Sequence, residues 1–223
     1  PLAIINESAG LIKDLFELKK EYGQDPKLIG LVESIQVSVQ RASKITRRLL
    51  TFSRKIEAGD EMVDLHSLIE EVIGFLEKEA ELKLIDIRVD AADGIPVIKA
   101  DRGSLQQIFI NILNNSFDAM EKQGQLTVKI DKGTGNNLTV KIYDTGCGIP
   151  QKDLPFIFEP FFSSKVGQGG TGLGLAVTYN LVCEIGGRIS VESREGEGTC
   201  FTLTLPLNTK SKENPQHARI AGR

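Results

Sequence analysis

A chain of 223 residues is long enough for one large domain or two small ones. Its 40% hydrophobic and 26% charged content is ordinary for a soluble globular protein, and no apolar run approaches the roughly 18 residues of a membrane span. A net charge of −3 argues against nucleic acid as the main partner. Cys147, Cys183 and Cys200, odd in number and without metal-ligand spacing, fit reduced thiols in a cytosolic compartment. The chain opens on proline without a signal peptide, so it reads as a piece of a longer protein.

Residues 1–57 predict two helices with apolar side chains at heptad spacing. Leu28, Ile35, Ala42, Leu49 and Ile56 form one column, and Leu31, Ile45 and Phe52 a second, interrupted by Ser38. Leu2, Ala9 and Phe16, with Ile5 and Ile12, make the stripe of the earlier helix. Gly23 suits the end of the first helix, Asp25 the N-cap of the second and Pro26 its first turn. On spacing alone, a structural bundle and a functional dimerisation hairpin both stay open. Either way one hairpin buries too little apolar surface, and pairing two into a four-helix bundle is the expected remedy.

Ala58-Gly59-Asp60-Glu61 is a short polar break, the expected linker between this hairpin and a second domain over residues 62–207. Within that domain, helices are predicted over 65–80, 101–122 (with Asp101 as N-cap) and 172–185. Strands are predicted over 85–89, 125–131, 138–143, 188–193 and 200–206. Such a mixed order favours an α+β sandwich, one mixed sheet under one helix layer. Residues 208–223 read as a polar tail.

The chemistry concentrates in ordered segments. Asn111-Ile-Leu-Asn-Asn115 lies on the second helix of the domain. Asp144-Thr-Gly-Cys-Gly-Ile-Pro150 is a Gly-rich turn, Phe158-Glu-Pro-Phe-Phe162 an aromatic one, and Gly167-Gln-Gly-Gly-Thr-Gly-Leu-Gly-Leu175 opens the third helix. Glycines let a backbone approach a nucleotide, and a Gly-rich loop opening a helix presents N–H groups to phosphates. A carboxylate in such a turn can accept from an adenine amino group, and an asparagine can offer an oxygen to Mg²⁺. Together these are the parts of an ATP site. Gly167 to Gly172 also satisfies the dinucleotide pattern G-x-G-x-x-G, but neither a buried strand before it nor a βαβ unit around it supports that reading.

The order of the segments resembles the GHKL family of ATP-binding domains, and within it the sensor histidine kinases. Asn111–Ala119 is similar to the N box, Asp144–Pro150 to the first glycine box, Phe158–Phe162 to the F box and Gly170–Leu175 to the second glycine box. Gly196-Glu-Gly-Thr-Cys-Phe201 is similar to the terminal box. The short lid resembles that of the nitrogen-regulatory subfamily. Leu49-Leu-Thr-Phe-Ser-Arg54 resembles the family's second bundle helix. The family's acceptor segment reads His-Glu-x-x-x-Pro-Leu, and this chain opens Pro1-Leu2. The first helix runs about 20 residues to the turn and the second roughly 30 from it, where bundle partners match in length. The resemblance therefore puts the phosphoacceptor histidine upstream of Pro1. Neither His66, which opens a helix after the linker, nor His217, in the tail, fits that role.

The resemblance implies a Mg²⁺-binding role for Asn115 and an adenine-reading role for Asp144, with Gly146 and Gly148 permitting close approach and Ile149 covering the ring. Lys165 in the lid would meet the phosphates, joined by Gly170, Thr171, Gly172, Leu173 and Gly174. Phe158, with Phe161 and Phe162, would anchor that lid; Thr199 and Asp118 complete the nucleotide contacts. Asp118 stands where some relatives carry lysine. In the hydrolysing branch of the family a glutamate that activates water occupies the place of Asn111, and an amide cannot accept that proton. The expected cofactors are thus ATP and Mg²⁺. The expected partners are a second copy through the hairpin and a response-regulator receiver domain, with neither nucleic acid nor membrane contact from this segment. The expected setting is cytoplasmic, whatever anchor the full-length chain carries.

Overall fold

Apolar residues at helical spacing and alternating strands sort the chain into two compact units in the computed structural model: Pro1–Lys55 with Ser163–Leu173, and Ile56–Phe162 with Gly174–Arg223. The structure describes residues 2–18, 28–39, 59–120, 122–163 and 171–208. In the first unit, α1 (Leu2–Leu18) runs beside α2 (28–39). Lys13 Nζ meets Glu33 Oε1 at 3.1 Å, while a Cβ on Gly10 would lie 3.8 Å from Gln36. The earlier position on α1 meets the later one on α2, the order of an antiparallel hairpin. Ala9, Val32 and Val39 are buried. Ile5, Leu11, Ile12, Leu31, Ile35 and Val37 are exposed, so four residues of the heptad pattern, Ile5, Ile12, Leu31 and Ile35, face away from the pair. Gly23, Asp25, Pro26 and the column positions from Ala42 to Ile56 lie outside the described residues.

The second unit begins with β1 (Glu61–Val63), then α3 (Leu65–Gly74) and α4 (Glu77–Lys83). Asp64 caps α3 by accepting from the His66 N–H and the Ser67 hydroxyl; the Ser67 bond is the largest influence holding its carboxyl below the usual range. The His66 imidazole lies 3.6 Å from Glu70 one turn on, in keeping with the expected surface, cap-adjacent position. The single helix expected over 65–80 is two. Gly74 weakens the helix, exposed Phe75 breaks its apolar stripe, and the Leu76 N–H turns back to the Ile73 carbonyl. Next come β2 (Ile85–Ala91) and β3 (Ile98–Ala100). β1 and β3 pair antiparallel as a separate two-stranded sheet that the sequence pattern does not reveal, since three residues are too few to display alternation.

Asp101 caps α5 (Arg102–Ala119) through the Ser104 N–H, as expected from its sequence. The chain continues through β4 (Gly124–Lys132), β5 (Asn137–Asp144), a 3-10 turn (Leu154–Phe156), α6 (Gly174–Glu184), β6 (Arg188–Arg194) and β7 (Gly198–Pro206). α6 starts two residues later than predicted; Gly172 has φ +63°, a left-handed backbone that does not belong to a helix. The five-stranded sheet has the order β2-β4-β5-β7-β6, parallel between β2 and β4 and antiparallel elsewhere. Leu126, Val128, Ile130, Leu138, Val140, Ile142, Phe201, Leu203 and Leu205 form its buried face, and Ile108, Phe109, Ile112, Leu113 and Phe117 of α5 fill the core with them. This is the expected mixed sheet under one helix layer.

A candidate nucleotide site at the polar end of the sheet

At one end of the sheet the buried face changes character. The register aligns Leu126 with Asp144, Asp144 with Thr199, and Thr199 with Ser193, so three polar side chains follow one leucine across four strands. All three are buried. Asp144, 1% exposed, accepts the Gly146 N–H at 2.9 Å. Burial raises its pKa above the ordinary 3.8, against the Gly146 N–H, the neighbouring Ser116 hydroxyl and the Thr199 backbone, which pull it down.

The turn after Asp144 is clamped on both sides by protein. Thr145 exchanges bonds with Gln125, its N–H to the carbonyl and its hydroxyl accepting the N–H. The Cys147 N–H donates to the Ala119 carbonyl at the end of α5, and the Cys147 carbonyl accepts from the Gly196 N–H. A Cβ on Gly146 would lie 2.6 Å from that of Ala119. One on Gly148, where φ is +69°, would lie 2.0 Å from the Arg194 carbonyl oxygen. Both glycines therefore leave room for the chain's own backbone, a need their position in the motif does not disclose. The Ile149 N–H donates to Ser193 Oγ at 2.8 Å, and its side chain packs at the margin of the core.

On α5, Asn111 and Asn115 lie one turn apart and meet different surroundings. Asn111 is 7% exposed, and its amide is consumed by protein. Oδ1 accepts from Gln107 Nε2 at 2.8 Å; Nδ2 donates to the Gly174 carbonyl at 3.1 Å and lies 3.3 Å from Thr178 Oγ1. Asn115 is half-buried, and its amide nitrogen is enclosed without a hydrogen-bond partner among the described residues, which is unusual for a buried polar group. Asp118, one turn further, is exposed.

Phe158 packs on the core with its ring 5.4 Å from Tyr179 of α6, and Phe162 also packs on the core, its ring 6.1 Å from Phe156, whereas Phe161 points outward from a left-handed backbone with φ +68°. Thr171, Gly172 and Leu173 belong to the first compact unit; Lys165 and Gly170 lie outside the described residues. Gly174, which opens α6, contributes the carbonyl that Asn111 and Thr178 share. Asp144, Gly146, Gly148, Ile149 and Thr199 thus converge, and Asn111 and Gly174 touch. Thr178 and Ser193 escape the sequence motifs. Only Ser193 leaves a trace there, a polar residue in the inward register of Ile189 and Val191. Among the described residues no group of three or more His, Cys, Asp or Glu is arranged to hold a metal, and no helix is long and apolar enough to cross a membrane.

Residues 100–209 match the family described as histidine kinase-, DNA gyrase B-, and HSP90-like ATPase. The sensor histidine kinase ZraS of Escherichia coli strain K12 is 33% identical over 183 residues, which are 82% of this chain and 39% of ZraS. Among solved structures, the nucleotide-free catalytic domain of histidine kinase ThkA matches with a TM-score of 0.60 at 27% identity, over 68% of this chain and 97% of that one. Full-length ShkA in complex with AMPPNP matches with a TM-score of 0.71 at 25% identity, over 94% of this chain and 44% of ShkA. The chain spans well under half the length of the curated relatives it matches. By its sheet order, its ordered motifs and these relatives, the chain belongs to the histidine kinase-, DNA gyrase B- and HSP90-like ATPase family, and within it to the sensor histidine kinases.

Proposed function

We propose that this chain is the ATP-binding core of a two-component sensor kinase, which passes the ATP γ-phosphoryl group to a histidine upstream of Pro1 and then to an aspartate of a response-regulator receiver domain. One observation carries transfer over hydrolysis. The N-box position at which a hydrolysing relative needs a general base is Asn111, an amide with its oxygen already accepting from Gln107. Such a group can take no proton from water.

In this reading Asp144 and Thr199 accept from the adenine edge, with Gly146 and Gly148 shaping the turn and Ile149 beside the ring. Gly170 to Gly174 and Lys165 receive the phosphates, Phe158 anchors the lid base, and Asp118 borders the opening. Asn115 offers its amide oxygen to Mg²⁺, a donor that suits a hard cation, from a position one turn along α5 from Asn111. Bound with the nucleotide, Mg²⁺ neutralises phosphate charge. The protein's own share is positioning, since phosphoryl transfer asks little covalent chemistry of it.

The exposed stripe of Ile5, Leu11, Ile12, Leu31 and Ile35 supports pairing of the helical unit with a second copy. None of the three cysteines is in a disulfide, which suits a reducing, cytoplasmic setting. The test is radiolabelled ATP offered to this chain and to the protein extended upstream, with and without glutamine in place of the upstream histidine. Acid-labile label is expected on the extended protein alone and absent from its glutamine variant. Label on the present chain that His66→Ala abolishes would contradict the proposal.

A further inference from the structure

We propose that Ser193 sets the adenine preference of this site by fixing the Thr199 hydroxyl as a hydrogen-bond acceptor. The inference rests on the ATP-site reading above and goes beyond it, since Ser193 belongs to none of the motifs. Ser193 is 8% exposed, and three groups converge on its hydroxyl. The Ile149 N–H donates to it at 2.8 Å, the Gly198 carbonyl lies at 2.8 Å, and Thr199 Oγ1 lies at 3.0 Å. Its own carbonyl accepts from Gln151 Nε2 at 2.8 Å, which holds the residue in place from the other side.

A serine hydroxyl has one proton and two lone pairs. The Gly198 carbonyl can only accept, so it takes the Ser193 proton. Both Ser193 lone pairs are then available for donors: one receives the Ile149 N–H and the other the Thr199 proton. Thr199 is left with lone pairs and no proton to offer elsewhere. Its neighbour across the ladder is Asp144, already held as an acceptor by the Gly146 N–H. Two adjacent side chains that only accept suit a base edge that donates, the exocyclic amino group of adenine. They oppose a 6-oxo purine, which presents an acceptor there. Removing the Ser193 hydroxyl frees Thr199 to rotate and donate, and the discrimination weakens. Ser193 acts through Thr199 and is therefore a positioning residue.

The experiment titrates the chain with Mg·ATP and Mg·ITP, which differ in the 6-amino against the 6-oxo group, and follows folding by circular dichroism. The parent is expected to prefer ATP. Ser193→Ala is expected to cut the ATP-to-ITP affinity ratio about tenfold, the size of one buried hydrogen bond, and Ser193→Thr, which keeps the hydroxyl, to retain most of it. A folded Ser193→Ala protein with the parental ratio would overturn the inference and leave the ATP-site reading standing. Should Ser193→Ala fail to fold, Thr199→Val decides: an unchanged ratio overturns the inference, and a collapsed one supports it. A parent that binds neither nucleotide overturns both.

Discussion

Asn111 and Thr178 stand 67 positions apart in sequence, yet the Asn111 amide nitrogen lies 3.3 Å from Thr178 Oγ1, and both side chains donate to the Gly174 carbonyl. The helix that carries the N box is thereby pinned to the first turn of α6, where the glycine-rich segment ends. The amide identity of Asn111 thus has a structural reason beside the chemical one. It donates and accepts at once, which a glutamate in its place cannot do.

Asn111→Ala and Thr178→Val are each expected to cost about 1–3 kcal/mol of stability, because each leaves a buried partner unmatched. In a double-mutant cycle by urea denaturation the two should be coupled by about 0.5 kcal/mol or more. Additive losses would mean that the contact carries no energy of its own.

Asp144 should trade stability for its role. Its pKa is raised in the folded protein by burial, so the folded state binds more protons than the unfolded one between 3.8 and the raised value. Its ionisation cost is therefore absent below that window and fully present above it. Asp144→Asn keeps an oxygen to accept the Gly146 N–H and removes the charge. The variant should gain stability over the parent at neutral pH, with the gap closing as pH falls to the lower edge of the window. Denaturation midpoints measured along a pH series check this, and a gap that widens on acidification would contradict it.

Two left-handed glycines, Gly148 and Gly196, should behave differently. A Cβ at Gly196, φ +80°, meets nothing within 4 Å, so Gly196→Ala should cost only the strain of that backbone, about 1–2 kcal/mol. Gly148→Ala adds a collision with the Arg194 carbonyl and should cost about 2–5 kcal/mol, strain and overpacking together. Thermal melts of the two variants distinguish them, and equal losses would show that the turn has more slack than its contacts imply.

The exposed apolar stripe of α1 and α2 should make the chain self-associate. Light scattering at several concentrations is expected to show a dimer that dissociates on dilution, and deletion of residues 1–57 to leave a monomer that still binds nucleotide. A strictly monomeric parent across the micromolar range would count against pairing through these helices.

Much of the domain was legible in the chain because its signals are local. The alternation of β4, β5 and β7, the Asp101 cap and the motif order each occupy a few consecutive residues. What stayed hidden depends on partners far along the chain. The break at Phe75 follows from exposure, and the pairing of β1 with β3 joins segments too short to alternate. Ser193 and Thr178 matter through Thr199 and Asn111, neighbours that only the folded register supplies. For Gly146 and Gly148 the residue type was readable, and the reason for it, Ala119 on one side and Arg194 on the other, was not.

Asp144 as the anchor of an adenine-nucleotide site is tested by calorimetric titration of Mg·ATP into the parent and Asp144→Ala proteins. The parent should show saturable binding at one site per chain. Asp144→Ala should weaken it roughly ten- to a hundredfold, the loss of about 1.5–3 kcal/mol for a buried hydrogen bond to a charged group. An Asp144→Ala protein that binds ATP as tightly as the parent would reduce Asp144 to a turn residue and rule out its role in reading adenine.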